Sequence, residues 1–375
     1  MLRLEPRVEP SRTMAYLSPL LALVLTVLMG AALFLALGKD PVRGLDMFLV
    51  EPLASWRALG ELSIKATPLI LVALGLSVAF RSNVWNIGAE GQFILGSVFA
   101  TRVALMATPS STPSLFVLAL LAGVAGGMLW GGIVAWLRDR FSANEILVSL
   151  MLVYVAEALL SYLVSGPWKD PHGYNFPQTA TFLDAARVPP LVAGSRANVG
   201  LPLALVLAGL GWVFVNRTYA GYKLEVGGLA PLAARYAGFS SRSALWTAFL
   251  VSGGLAGLAG ALEVTGPDGQ LTTHVPLGYG FAAIIVAFVG RLSPLGVIFS
   301  AVLMSMFYIG GEMSQSRLGL PKSLTGVFQG LLLFALLTCD TLIGYRLRFS
   351  RERSLGASRL PSALAARTAA ASREG

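Results

Sequence analysis

Apolar residues run through this chain in blocks of about twenty, separated by short polar stretches. A helix crossing the hydrocarbon core of a bilayer needs about 20 such residues, whereas a half-buried strand alternates and a surface helix shows a single apolar stripe. On that template ten segments stand out: 16–38, 60–80, 86–107, 114–137, 145–165, 200–216, 243–264, 279–290, 294–310 and 323–345. The third opens on a cluster of polar residues and the eighth is short, so both are read as broken or half-spanning. No stretch alternates long enough to close a barrel. The pattern predicts an all-α polytopic membrane protein of about ten transmembrane helices, one or two of them broken or half-spanning. It divides the chain into a short N-terminus (1–15), a membrane domain (16–345) and a basic tail (346–375) without periodicity, expected to be disordered.

Lysine and arginine orient these segments, because they accumulate in cytoplasmic loops. With a cytoplasmic N-terminus, 18 of the 28 basic residues fall on the inner side and 8 on the outer, Lys65 and Arg102 lying within segments. An even number of crossings returns the C-terminus to the cytoplasm. The longest outer loop is then 166–199 and the longest inner loop 217–242.

Composition sharpens the class. The chain is 55% hydrophobic and 13% charged, against roughly a quarter charged in a soluble domain, so lipid must solvate much of it. Its net charge of +9 fits inner loops facing anionic lipid, and no nucleic-acid partner is expected. One cysteine, Cys339, and two distant histidines, His172 and His274, offer no metal site. The first apolar block lacks a small-residue cleavage site and reads as a retained helix.

Two stretches carry candidate chemistry. "RSNVWNIGAEGQ" (81–92) crowds Arg81, Asn83, Asn86, Glu90 and Gln92 beside apolar segments. Polar groups at membrane depth face a cavity, each other or freed backbone, and Gly88 and Gly91 ease a break in the helix. One reading is a helix broken inside the membrane and lining an aqueous path; the other is a short wet turn between two helices. In the inner loop, "LAPLAARYAGFS" reads as a short helix starting at Pro231, carried by Ala233, Ala234 and Ala237, and ended by Gly238. It can dock in a partner's groove or rest on lipid. Glycines at four-residue spacing, Gly123, Gly127 and Gly131, then Gly253 and Gly257, followed by Gly260, mark helix faces where backbones approach closely.

"NIGAEGQ", "ANEILVSLMLVY", "VGGLAPLAARYAG" and "GFAAIIVAFVGRLSPLGV" stand in this order, and together they resemble the permease subunits of bacterial ABC importers for nucleosides and simple sugars, relatives of the branched-chain amino acid permeases. The similarity runs from about Thr67 to Gln329. It implies a multi-pass protein of the cytoplasmic membrane that binds no cofactor of its own, ATP and magnesium being used by a partner. The implied partners are a cytoplasmic ATP-binding subunit, a second homologous permease and an extracytoplasmic substrate-binding lipoprotein. It also implies that Pro231, Ala233, Ala234, Arg235, Tyr236, Ala237 and Gly238 form the coupling contact with the ATPase.

No GxxxxGK[ST] phosphate loop occurs in the chain, so the energy source is expected to be a partner, and no catalytic residue is assigned. Trp85, Asn86, Glu90, Gln92, Phe93, Asn144 and Glu145 are the candidates for lining the substrate path. Amides and carboxylates match ribose hydroxyls and base edges, and an aromatic ring under a base is worth about 1–3 kcal/mol. Nucleosides lead as substrates, followed by simple sugars and then branched-chain amino acids. The rival class is an ion-gradient-driven secondary transporter using Glu90 and Glu157 as ion sites; such a carrier has no need of a docking helix.

Overall fold

All ten apolar blocks form helices, and the polar stretches between them add three more. A computed structural model describes residues 2–7, 11–112, 114–173, 175–191, 196–275, 277–321 and 323–349. The elements are strand β1 (Leu2–Pro6), helices α1 (Arg12–Ala36), α2 (Pro41–Leu49), α3 (Trp56–Arg81), α4 (Ala89–Ala104), α5 (Leu115–Phe141), α6 (Glu145–Ser165), α7 (Gly200–Arg217), α8 (Tyr219–Leu229), α9 (Pro231–Tyr236), α10 (Ser241–Glu263), α11 (Tyr279–Val289), α12 (Pro294–Leu318) and α13 (Leu324–Gly344), then strand β2 (Tyr345–Phe349). Several helices begin where the sequence supplies a cap. Ser55 Oγ accepts from Ala58 N at 3.1 Å, Ser240 Oγ from Ser243 N at 3.2 Å, and Asn144 Oδ1 from Ile146 N at 3.0 Å.

Eight of the helices are long and apolar enough to cross a bilayer. The other two from the apolar blocks are short. At 1.5 Å per residue, α4 with 16 residues rises about 24 Å and α11 with 11 about 16 Å, against a hydrocarbon depth of about 30 Å.

The all-α architecture holds, and a short two-stranded ribbon joins its ends. β1 and β2 pair antiparallel, Leu2 opposite Phe349 and Pro6 opposite Tyr345. "LRLEP" and "YRLRF" alternate too briefly to announce strands, and they meet because α1 and α13 pack side by side. The tail expected to be disordered from 346 thus begins in a strand, and residues 350–375 lie outside those described. The ribbon places both described ends on one side of the bundle, the ribbon side. Glu51, in the single turn before α3, meets Arg317 at the end of α12 at 2.7 Å on the far side.

α3 and α10 form the axis. The most apolar window of α3 is 89% buried and that of α10 72%, whereas α1, α6 and α7 each reach 22%, so the last three are peripheral. α10 packs on α3, α4 and α5, and α3 also meets α7, α11 and α12. The glycine spacing read from sequence falls at the closest of these contacts. A Cβ on Gly257 would overlap the carbonyl oxygen of Gly123, one on Gly127 that of Gly253, and one on Gly260 that of Phe93. The obstructing atoms are backbone and cannot yield, so α4, α5 and α10 touch main chain to main chain.

The far-side loop 166–199 is folded down on the connection after α10. Thr179 N donates to Leu271 O at 3.0 Å, Phe182 N to Gly269 O at 2.8 Å and Val188 N to Thr265 O at 2.9 Å.

Candidate solute pathway and docking loop

α3 reaches the ribbon side at Arg81, and the chain then turns back into the bundle. Asn83 takes the left-handed conformation, φ 56°, and by Asn86 the chain has returned to mid-depth. There Asn86 Nδ2 donates to Ser252 Oγ at 2.8 Å, and Ser252 is the midpoint of α10. Asn86 and Gln92 pair amide to amide: Asn86 Nδ2 donates to Gln92 Oε1 at 2.8 Å, and Gln92 Nε2 to Asn86 Oδ1 at 3.2 Å. Asn86 Oδ1 also accepts from Gly88 N at 3.1 Å. These bonds fix the re-entrant loop, and α4 runs from it to the far side.

The mirror arrangement follows α10. Its chain passes the far side, returns to mid-depth at Gly278 (φ 78°) and enters α11, which runs to the ribbon side. The two short helices therefore meet N-terminus to N-terminus. Glu90, in the first turn of α4, closes the gap: its Oε1 accepts from Gly278 N at 2.9 Å and its Oε2 from Gly280 N at 2.5 Å. Gly280 permits this approach, since a Cβ there would overlap Glu90 N. Phe93 packs edge-on against Tyr279 with centroids 6.0 Å apart, and Tyr279 against Tyr308 at 5.3 Å.

The structure thus brings Asn86, Glu90, Gln92 and Phe93 together, all at most 1% exposed. Sequence reasoning expected them to line an aqueous path; in this conformation they present essentially no surface to a solute and bond one another and the backbone instead. Trp85 sits nearer the ribbon side, 37% exposed, its ring tilted against Phe80 and stacked with Phe288. Asn144 and Glu145 are not part of the junction. Asn144 caps α6, and Glu145 pairs with Arg138 at the ribbon-side end of α5. They lie about 12 Å along α6 from Val153, the residue against Gly91 of α4.

Sequence reasoning missed Ser252, Gly278 and Gly280. The glycines of "LGYGFAA" just before a short apolar block were the available signal. From sequence Glu157 can be either a cavity residue or a partner for a neighbouring helix. Glu157 is exposed near the middle of α6, on one helical face with exposed Tyr154 and Ser161, and makes no hydrogen bond or ion pair among the described residues. The other peripheral helices expose only aliphatic side chains at such depths, Leu20, Val24 and Leu28 on α1 and Val206, Leu210 and Val213 on α7. A carboxylate facing lipid is costly.

On the ribbon side α8 and α9 project from the bundle. α9 starts at Pro231, and the chain leaves it through Gly238 at φ 78°. Ala234 alone of α9 is buried; Pro231, Leu232, Ala233, Arg235, Tyr236, Ala237 and Gly238 are exposed, Tyr236 by 95%. The loop is held by Phe239, whose ring lies edge-on to Tyr219 and Tyr222. Beside it opens a cleft of about 840 Å³ whose mixed walls include Asn83, Arg138, Asp139, Leu224, Phe239 and Arg242.

A helical bundle with two half-helices meeting at mid-depth and an exposed helical loop on one side defines a multi-pass membrane permease. The profile of the branched-chain amino acid transport system permease component family matches residues 58–337, and the chain belongs to that family. It is 34% identical to the glucose ABC transporter permease protein TsgB13 of Haloferax volcanii over 94% of this chain and 95% of the relative. It is 30% identical to the guanosine ABC transporter permease protein NupP of Bacillus subtilis, over 83% and 90% of the two chains. The nucleoside ABC transporter permease protein NupB of Lactococcus lactis subsp. cremoris is 28% identical over 86% and 91%. No solved structure gives a significant match. Membership implies an ATP-binding subunit and a substrate-binding protein as partners.

Proposed function

We propose that this chain is one of two permeases in an ATP-driven importer of nucleosides, working by alternating access with its ribbon side in the cytoplasm. The exposed loop α8–α9 carries this reading. Leu232, Arg235 and Tyr236 stand clear of the bundle around the anchored Ala234, a shape suited to insertion into a cytoplasmic ATPase. The lysine and arginine distribution supports the orientation, and the relatives named for guanosine and nucleosides support the substrate class. The relative named for glucose favours a simple sugar as second reading; both solutes present a ring bearing several hydroxyls.

The half-helix junction braces the passage, and the solute passes beside it, over the polar face of α6. Tyr154, Glu157 and Ser161 form one wall there, and a second, homologous permease supplies the other. A carboxylate accepts from sugar hydroxyls, and a tyrosine ring stacks on a sugar or base. An extracytoplasmic lipoprotein delivers the solute to the far side.

Vesicles reconstituted with both permeases, the ATPase and the binding protein test this. Labelled guanosine should enter only with ATP, and competition by unlabelled guanosine and glucose separates the two substrate readings. Uptake driven by an ion gradient with no ATPase present would overturn the proposal.

A further inference from the structure

Arg81 joins the docking loop to the foot of a half-helix. Its Nη1 lies 3.7 Å from Glu225 Oε2 on α8, and its Nε donates to the carbonyl oxygen of Leu292 at 3.0 Å. Leu292 belongs to the tight turn between α11 and α12, in which Arg291 and Leu292 both take φ 53°. Leu292 N donates to Ala287 O at 2.8 Å and Arg291 N to Phe288 O at 2.9 Å, which ties the turn to the end of α11. The backbone of Arg81 is gripped as well. A Cβ on Gly228 of α8 would overlap the Arg81 carbonyl oxygen and approach Asn83 N to 3.1 Å. α8 thus rests on the point where α3 ends and the re-entrant loop begins.

From these contacts we infer that Arg81 transmits movement of the docking loop to α11, and through α11 to its junction with α4. This rests on the ATP-driven reading above. The Arg81–Glu225 contact is long and its carboxylate half-exposed, so it contributes little to stability. What it supplies is connection. Guanidinium offers several fixed donors and can hold a carboxylate and a carbonyl together, which a single ammonium cannot do as well. α11 is a rigid rod anchored at one end through Leu292 and at the other through Gly278 and Gly280 to Glu90, so displacing its foot loads the junction. Coupling shows as movement at both ends of this chain of contacts, which the test reads.

The assembled complex, with Cys339 replaced by serine, would carry spin labels at Ala220 on α8 and Phe281 on α11, each measured against one at Val24 on α1. With ATP and vanadate both distances should change in the otherwise native chain. In Arg81→Ala the Ala220 distance should still respond and the Phe281 distance should not. Guanosine moved per ATP hydrolysed should fall at least about 5-fold, the lower end of ordinary coupling between sites, with hydrolysis itself retained. Glu225→Gln alters only the half-exposed partner, does not endanger folding, and should give the same separation. A Phe281 response unchanged in either variant would overturn the inference. If the native complex captures no ATPase, or neither distance moves in it, the functional reading itself fails.

Discussion

Replacing Glu90 by glutamine keeps size and shape and removes one acceptor oxygen. In the native chain both carboxylate oxygens accept main-chain N–H groups, from Gly278 at 2.9 Å and Gly280 at 2.5 Å. Each such bond to a charged group is worth about 1.5–3 kcal/mol. Glutamine can satisfy one N–H with its carbonyl at about 1 kcal/mol, but its NH₂ then confronts the other donor. That donor is left buried and unpaired at a cost of about 1–3 kcal/mol, and the favourable charge at the start of α11 is lost as well. The net loss is on the order of 3 kcal/mol, large for a single substitution. Unfolding of the purified chain by sodium dodecyl sulfate in mixed micelles measures it, with Glu90→Asp alongside, since aspartate keeps the charge but is one methylene too short. A glutamine variant as stable as the native chain would refute the bracing role. Loss of uptake with stability intact would return Glu90 to the solute.

Gly257→Leu should prevent folded protein from accumulating, or cost about 3 kcal/mol or more by overpacking, because the new side chain meets the Gly123 carbonyl and Gly127 main chain; Gly330→Leu on α13, with open space around it, should be neutral by the same detergent unfolding. Tyr236→Ala and Arg235→Glu should each weaken capture of the ATPase in a pull-down while leaving stability within about 0.5 kcal/mol, as expected for exposed positions. Glu157→Gln should raise the KM for labelled guanosine without lowering stability or assembly. An unchanged KM would remove α6 from the passage.

Much of the architecture was legible because lipid imposes a length rule. A block of about twenty apolar residues has few alternatives to a membrane helix, which is why all ten segments reappear, and why 166–199 and 217–242 fall almost at the ends of α6, α7 and α10. Pro231 and Gly238 mark α9 for a similar reason, each restricting or relaxing φ where a helix starts or stops. Other features were hidden because they depend on contacts distant in sequence. Nothing local shows that the far-side return at Gly278 meets the ribbon-side return at Asn86, or that Leu2–Pro6 finds Tyr345–Phe349. The polar residues of 81–92 were recognised as unusual, but their direction was not recoverable. A buried amide pair and an amide lining a water path look alike in one dimension, and only Ser252, 160 or more residues away, separates them.

The polar cluster in "NVWNIGAEGQ" follows from the interruption itself. Breaking a membrane helix in two strands the first N–H groups of each new helix where water cannot reach them. Two N-termini facing each other add a second problem, because both carry partial positive charge. Asn86 answers part of the first by accepting from Gly88 N at the start of α4. Glu90 answers both: it lies in the first turn of α4 and accepts from the first N–H groups of α11, placing one negative charge between two positive helix ends. Gln92 then uses the remaining capacity of Asn86, and Ser252 ties the pair to α10. In this conformation the amides and carboxylate bond to backbone and to one another. The exposed carboxylate at Glu157 has no such account among the described residues, and the proposed passage along α6 rests on that difference.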